Sequence, residues 1–331
     1  MITTQSGAIH LLPPTRTTAP AGSASPAVIT EISSGLLKPQ AQVSPKFLYD
    51  ALGSKLFEAI CELPEYYPTR TEAAIFAQHG ADIARAVGAG VTLIDLGAGN
   101  CAKAAALFPL LHPRQYVAID ISHDFLRDAL GRLQQRFPAI EMTALGLDFS
   151  DKLGLPGSVR PDRRLFFYPG SSIGNFAPGQ ASAFLQRLHA ECGDDGGLLI
   201  GVDLIKDRAL LNAAYDDDLG VTAAFNLNLL RHLNRLMGSD FDARQWCHRG
   251  FFNASQSRIE MHLEARVELT VSWPGGHRCF ARGERIHTEN SYKYTPEGFA
   301  GLLEQAGFVP GASWTDDAGW FAVIHARAAQ R

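Results

Sequence analysis

The stretch Val91-Thr92-Leu93-Ile94-Asp95-Leu96-Gly97-Ala98-Gly99-Asn100-Cys101-Ala102-Lys103 decides the fold. Apolar and β-branched residues run into an acidic residue, a glycine-rich loop and an alanine-rich segment, which reads as strand, tight turn and helix. That is the first unit of a nucleotide-binding α/β domain. Gly97 and Gly99 let the backbone turn sharply and approach a ligand, and the helix that follows offers unpaired N–H groups.

The units after it keep the same rhythm. Gln115 to Asp120 reads as a second strand ending in an acid, followed by a helix to Arg136, and Glu141 to Phe149 as a third strand ending at Asp148. In open α/β sheets these strand ends face one crevice. There Asp120 can accept ribose hydroxyls, Asp148 an adenine amino group, and Phe149 can lie against the base. The loop by itself leaves the ligand open, because Gly-x-Gly-x-x-Ala fits a dinucleotide as well as S-adenosylmethionine. A fourth strand, Arg164 to Tyr168, runs into Pro169-Gly-Ser-Ser172-Ile-Gly174-Asn175. This contains the Gly-x-Ser-x-Gly pattern of a hydrolase elbow, with Ser172 as nucleophile. Pro178 follows six residues later, where it would interrupt the helix an elbow needs. A fifth strand, Leu198 to Leu204, completes the series.

Beyond it the rhythm stops. Ala209 to Met237 is helical in pattern and carries Tyr215 and Phe225, while Arg258 to Thr270 alternates as an antiparallel strand containing Met261. An inserted α+β domain over 205–292 is expected, with 29–204 and 293–331 forming the cofactor domain. Upstream, residues 1–28 are rich in Pro, Thr, Ser and Ala and read as a mobile tail. Phe47 to Ile60 is helical around a Gly-Ser interruption, and Leu63 to Glu72 turns at two prolines.

Composition narrows the partners. The 331 residues carry a net charge of −4 without a basic stripe, so neither nucleic acid nor an anionic membrane is implied. No apolar run is long enough to span a bilayer and no secretory leader is evident, which points to the cytoplasm. The five cysteines are scattered and suit a reducing compartment, and the His and Cys spacing offers no metal site.

Four segments together resemble the S-adenosylmethionine-dependent histidine N-alpha-methyltransferases of ergothioneine biosynthesis. They are Tyr49-Asp-x-x-Gly53-Ser54 with Leu56-Phe57, Leu63-Pro-Glu-Tyr-Tyr-x-Thr-Arg70-x-Glu72, Tyr168-Pro-Gly-Ser-Ser-Ile-Gly-Asn175-Phe176, and Glu289-x-Ser291-x-Lys293-Tyr294. The resemblance covers residues 45 to 325. It implies a Rossmann-like class I methyltransferase domain with an inserted substrate-binding domain, and S-adenosylmethionine in place of a dinucleotide. Gly97, Gly99, Lys103, Asp120, Asp148 and Phe149 would hold that methyl donor. Tyr66, Asn175 and Tyr215 would hold the amino and carboxylate ends of L-histidine, with Tyr49 close to the amine. Glu289 and Ser291 would grip the imidazole, and Phe225 and Met261 would line the pocket. Tyr49, Tyr66 and Asn175 would act at the reacting nitrogen, the product would be the trimethylated amino acid, and the protein would work as a monomer. Ser172 then becomes a turn residue in the loop that presents Asn175.

Overall fold

The computed structural model describes residues 9–11, 24–121, 123–149 and 153–329. Residues 9–11, within the expected tail, form strand β1 (Ile9–Leu11), and helix α1 (Pro26–Leu36) begins two residues before the expected boundary, capped by the Ser25 hydroxyl. The remainder of the tail lies outside the described residues. A 3-10 turn (Pro45–Leu48) leads to α2 (Ala51–Cys61). Gly53-Ser54 does not interrupt this helix but forms its first turn, where the Asp50 carboxylate accepts from the Gly53 N–H at 2.7 Å. After the Leu63 to Tyr66 corner, α3 (Tyr67–Val87) starts with proline in its first turn, where the missing N–H costs nothing, and stops at Gly88 in the left-handed region.

The α/β series follows as β2 (Thr92–Leu96), α4 (Ala102–Leu111), β3 (Gln115–Asp120), α5 (His123–Arg136), β4 (Glu141–Gly146), β5 (Arg164–Tyr168), α6 (Pro178–Cys192) and β6 (Gly197–Asp203). Strands β2 to β6 read as continuous apolar runs because helices cover both faces of the sheet. Pro178 opens α6 at its first position, six residues after Ser172, so no α-helix starts at Ser172 itself.

The insert contains α7 (Arg208–Ala213), α8 (Val221–Met237), β7 (Trp246–Asn253), β8 (Arg258–Ala265), β9 (Leu269–Trp273), β10 (Gly276–Phe280) and β11 (Arg285–Tyr292). The single helix expected from 209 to 237 is two helices, separated by a turn at 214–220 that carries Tyr215. Gly220, left-handed at φ 75°, restarts the second helix. The chain ends with α9 (Pro296–Gln305), β12 (Phe308–Thr315) and β13 (Phe321–Ala328).

The main sheet has the order β1-β4-β3-β2-β5-β6-β13-β12, parallel from β1 to β6 and antiparallel at β13 and β12. The order reverses direction at β2, which pairs β3 on one side and β5 on the other, so the crevice opens at their carboxyl ends. A second sheet, β11-β8-β7, is antiparallel and packs with α8. Helices α1 and α2 and the 3-10 turn between them share the insert's core through Ile32, Leu36, Phe47 and Ile60 with Leu229, Leu233 and Phe280. Residues 29–66, grouped above with the cofactor domain, thus pack on the insert. Asp50 strengthens that docking by accepting from Asn228 at 2.7 Å and pairing with Arg235. No described helix is long and apolar enough to cross a membrane.

Candidate active site

Strand ends and two loops build the cofactor side. Gly97 and Gly99 adopt φ of 72° and 51°, a left-handed path that a side chain would strain. The Gly97 and Ala98 N–H groups donate to the Ile119 carbonyl at 2.9 and 3.0 Å, and the Gly99 N–H donates to the Asp120 carboxylate at 3.0 Å. The first acid of the loop sequence, Asp95, is buried and accepts from the Tyr116 hydroxyl at 2.7 Å, so it braces the sheet. Burial pushes its pKa up to about 7. A Cβ added at Gly97 would stand 3.9 Å from the Phe149 ring, which places Phe149 on the wall facing the glycine loop. That ring packs against Tyr168 and Phe184. Asp148 lies 3.4 Å from Lys46, in the 3-10 turn before α2.

Lys103 is held by a partner the sequence reading missed. Its ammonium lies 2.6 Å from Glu72, which is fully buried, and the other Glu72 oxygen accepts from the Gly170 N–H at 2.7 Å. The pair ties α3 and α4 to the turn after β5. Ser172, the would-be nucleophile, donates to the Pro169 carbonyl at 3.2 Å in that turn, with no histidine bonded to it among the described residues.

The same turn forms the bridge to the substrate side. Its 3-10 segment, Ser172–Asn175, packs on β11 so closely that a Cβ at Gly174 would lie 2.8 Å from the Tyr292 carbonyl oxygen. Only glycine fits there. Asn175 is therefore delivered next to the strand that carries Glu289 and Ser291, and its amide has no hydrogen-bond partner among the described residues.

Aromatic rings line the rest. Tyr49 stands edge-on to Phe57 and to Phe225, each at 5.5 Å between centroids, and Tyr66 stands edge-on to Tyr215 at 6.0 Å. Burial, and next the Glu289 carboxylate, hold the Tyr49 phenol well above its usual pKa, and burial does the same for Tyr66. Both stay protonated donors at neutral pH. Met261 is buried and directly opposite Glu289 in the β8/β11 pairing, beside an irregularity between His287 and Glu289 that re-aims the strand.

Glu289 is 8% exposed, and its Oε2 has no hydrogen-bond partner. Burial raises its pKa to about 7, with the Lys293 charge partly opposing the rise. Two residues along β11 and beyond, the Ser291 hydroxyl accepts from the Lys293 ammonium at 2.7 Å and from the Tyr215 hydroxyl at 2.9 Å. Tyr215, expected with Tyr66 and Asn175, thus has its ring against Tyr66 but its hydroxyl on the Ser291 side. Lys293 also donates to Tyr215 at 3.2 Å and pairs with Asp203 at 2.7 Å. Asp203 accepts from the Tyr67 hydroxyl at 2.8 Å and pairs with Lys206. Burial works against the Lys293 charge, but Asp203 outweighs it and holds that pKa above the usual value.

Asp203, Glu72 and Lys293 were not assigned roles from sequence. Asp203 was within reach of the same reasoning, because it ends a strand as Asp120 does; Glu72 and Lys293 stand inside quoted motifs, but their partners are far away in the chain. A cleft of about 570 Å³ lies elsewhere, lined by Val91, Arg163, Gly196 and Arg327 at the opposite ends of the strands, and contains none of these groups.

The strand order, glycine loop and acidic strand ends define a Rossmann-like class I methyltransferase fold with a second lobe over its crevice. A family model for histidine-specific, S-adenosylmethionine-dependent methyltransferases matches residues 28–328. The histidine N-alpha-methyltransferase of Mycolicibacterium smegmatis is 39% identical over 307 residues, 91% of this chain and 95% of that protein. That of Mycobacterium tuberculosis is 38% identical over 305 residues, 88% and 92%. Ergothioneine biosynthesis protein 1 of Neurospora crassa is 30% identical over 309 residues, which span 86% of this chain and 33% of that longer protein. The chain belongs to the histidine-specific, S-adenosylmethionine-dependent methyltransferase family, and S-adenosylmethionine is its methyl donor.

Proposed function

We propose that the enzyme transfers three methyl groups from S-adenosylmethionine to the α-amino group of L-histidine, giving Nα-trimethylhistidine (hercynine) for ergothioneine biosynthesis. One observation carries the reading: the buried Glu289 carboxylate, without a partner on Oε2, beside a serine hydroxyl whose acceptor capacity is already filled. A neutral imidazole has one N–H to give and one nitrogen to receive. Glu289 takes the first and the Ser291 O–H supplies the second.

The methyl donor contributes an electrophilic methyl on a sulfonium; Gly97, Gly99, Lys103, Asp120, Asp148 and Phe149 line the crevice that would hold it. This chain's part is to position a neutral amine and exclude water. The Asn175 amide and the Tyr49 and Tyr66 phenols, all without internal hydrogen bonds, orient the nitrogen and, with Tyr215, anchor the amino-acid end without adding fixed charge. Phe225 and Met261 close the wall. An α-amino group in a peptide titrates near 7.7 to 8.0 and that of a free amino acid higher, so the rate should climb with pH through the neutral range.

Successive methylation ends in a quaternary ammonium, and the ring faces of Tyr49, Tyr66 and Phe225 can stabilise that cation by ~0.5 to 2 kcal/mol. Tyr49→Ala is expected to shift product toward the mono- and dimethyl forms by mass spectrometry; trimethylated product at the normal rate would refute that role. Incubation with S-adenosylmethionine and each of the twenty amino acids tests the whole reading, and no methylated histidine above background would end it.

A further inference from the structure

We infer that Lys293 is a positioning residue that fixes the direction of the Ser291 hydroxyl, and thereby makes the pocket select a side chain with a ring-nitrogen acceptor. The inference rests on the histidine reading above and adds how the ring is told from its near-isosteres.

The geometry leaves Ser291 little freedom. A hydroxyl has one proton and two acceptor positions. Lys293 Nζ, at 2.7 Å, fills one acceptor position, and the Tyr215 hydroxyl, at 2.9 Å, fills the other. The Tyr215 hydroxyl donates to Ser291 and accepts from Lys293 at 3.2 Å; in the reverse direction its own proton would have no acceptor among the described residues. The Ser291 proton is left pointing away from both, with only a ligand to receive it. Lys293 is 3% exposed and has no acceptor capacity of its own, so its donors cannot be turned to water. Asp203, on the opposite side of the ammonium at 2.7 Å, keeps it charged and in place.

A buried donor without an acceptor is costly, and sites built to bond a polar group reject analogues that lack it far more strongly than apolar pockets reject a missing methylene. A pyrrole ring in place of the imidazole keeps the N–H for Glu289 but presents C–H to Ser291. With Lys293 present, the serine proton is orphaned and the analogue is rejected. A glutamine at 293 would bring an amide oxygen that can take the Ser291 proton while Tyr215 still donates to Ser291, and the penalty is relieved; methionine brings no acceptor and leaves the proton orphaned.

The experiment compares kcat/KM for L-histidine and L-3-(pyrrol-2-yl)alanine in the wild type, in Lys293→Gln and in Lys293→Met, with S-adenosylmethionine affinity by calorimetry as the check on folding. Asp203 retains Tyr67 and Lys206 in both variants. The wild type is expected to favour histidine by about 10²-fold or more, Lys293→Gln to narrow that ratio at least ~10-fold with methyl-donor affinity held, and Lys293→Met to leave it within about threefold. A purely structural role would lower both substrates together and leave the ratio alone in Lys293→Gln as well, which would overturn the inference. If Lys293→Gln fails to bind the methyl donor, Ser291→Ala carries the test, because deleting the hydroxyl removes the proton that rejects the pyrrole; an unchanged ratio there overturns the inference equally. A wild type that does not methylate histidine would instead remove the reading of the substrate.

Discussion

Replacing Glu289 by glutamine should make the enzyme more stable and less active, and the stability gain should depend on pH. In the folded chain burial raises this carboxyl from its ordinary 4.5 to about 7, a figure that already includes the opposing Lys293 charge. At ~1.4 kcal/mol per pH unit, the ionised form costs the folded state roughly 3 kcal/mol. The sign follows from the folded pKa lying above the unfolded one: the cost is absent below about pH 4.5, grows between about 4.5 and 7, and is complete above that range. Glutamine cannot ionise, so it escapes the cost only where glutamate pays it. Glu289→Gln is therefore expected to raise Tm by up to about 6 °C at pH 8 and by roughly a quarter of that at pH 5.

Activity should move the other way. A hydrogen bond to a charged acceptor contributes ~1.5 to 3 kcal/mol and one to a neutral acceptor ~0.5 to 1.5, so kcat/KM for histidine should fall about 10-fold at pH 8. Differential scanning calorimetry at the two pH values with the methyl donor absent, paired with steady-state kinetics, measures both sides. A variant that melts no higher than the wild type at pH 8, or that gains as much at pH 5, would show that the carboxylate is not a destabilised group held for a ligand.

Gly174→Ala places a Cβ 2.8 Å from the Tyr292 carbonyl oxygen and must push the Asn175 turn off β11; kcat should fall ~10²-fold while calorimetric affinity for S-adenosylmethionine changes less than about threefold. Glu72→Ala removes the partner of Lys103 and of the Gly170 N–H from a fully buried position, and urea unfolding should show a loss of about 3 kcal/mol. Ser172→Ala deletes a hydrogen bond to Pro169 and nothing catalytic, so methyl transfer should stay within about threefold of the wild type; loss of all activity would revive a nucleophilic role.

The cofactor half was legible because its signals are local. A strand that leads into an acid and a glycine pair that needs positive φ are read from a dozen residues, and the strand end at Asp120 follows by repetition, whereas β4 stops at Gly146 and leaves Asp148, the expected strand end, in the loop two residues beyond. What escaped was long-range. Nothing near Glu72 announces Lys103, 31 positions on, or Gly170, 98 positions on, and nothing near Lys293 announces Asp203. The N-terminal helices look from periodicity like any amphipathic pair, and only the positions of Asn228 and Arg235 show that Asp50 docks them on the insert. The break at 214–220 was masked by flanking helical patterns, although Gly220 was a signal for it. Strands β7 and β12 went unread, their alternation broken by Gly250 and by Pro310-Gly311.

The buried pair at Asp203 and Lys293 joins these two halves physically. Asp203 is the last residue of β6, where the chain leaves the main sheet, and Lys293 follows β11, where it returns. The Tyr294 N–H donates to the Asp203 carbonyl at 3.1 Å and the Ile205 N–H to the Tyr294 carbonyl at 3.0 Å, so the two crossings are laced together. The Asp203 N–H also donates to the Ser171 hydroxyl at 2.9 Å, in the turn that ends at Asn175. One junction thus sets the base of the insert, the loop that presents Asn175 and, through Lys293, the hydroxyl that meets the ring. Breaking such a buried pair from one side costs ~3 to 5 kcal/mol, so the junction is a clamp and not a hinge. The groups proposed to orient the amine and to read the ring are thus held in one frame, which is the condition under which positioning alone can account for most of a methyl transfer.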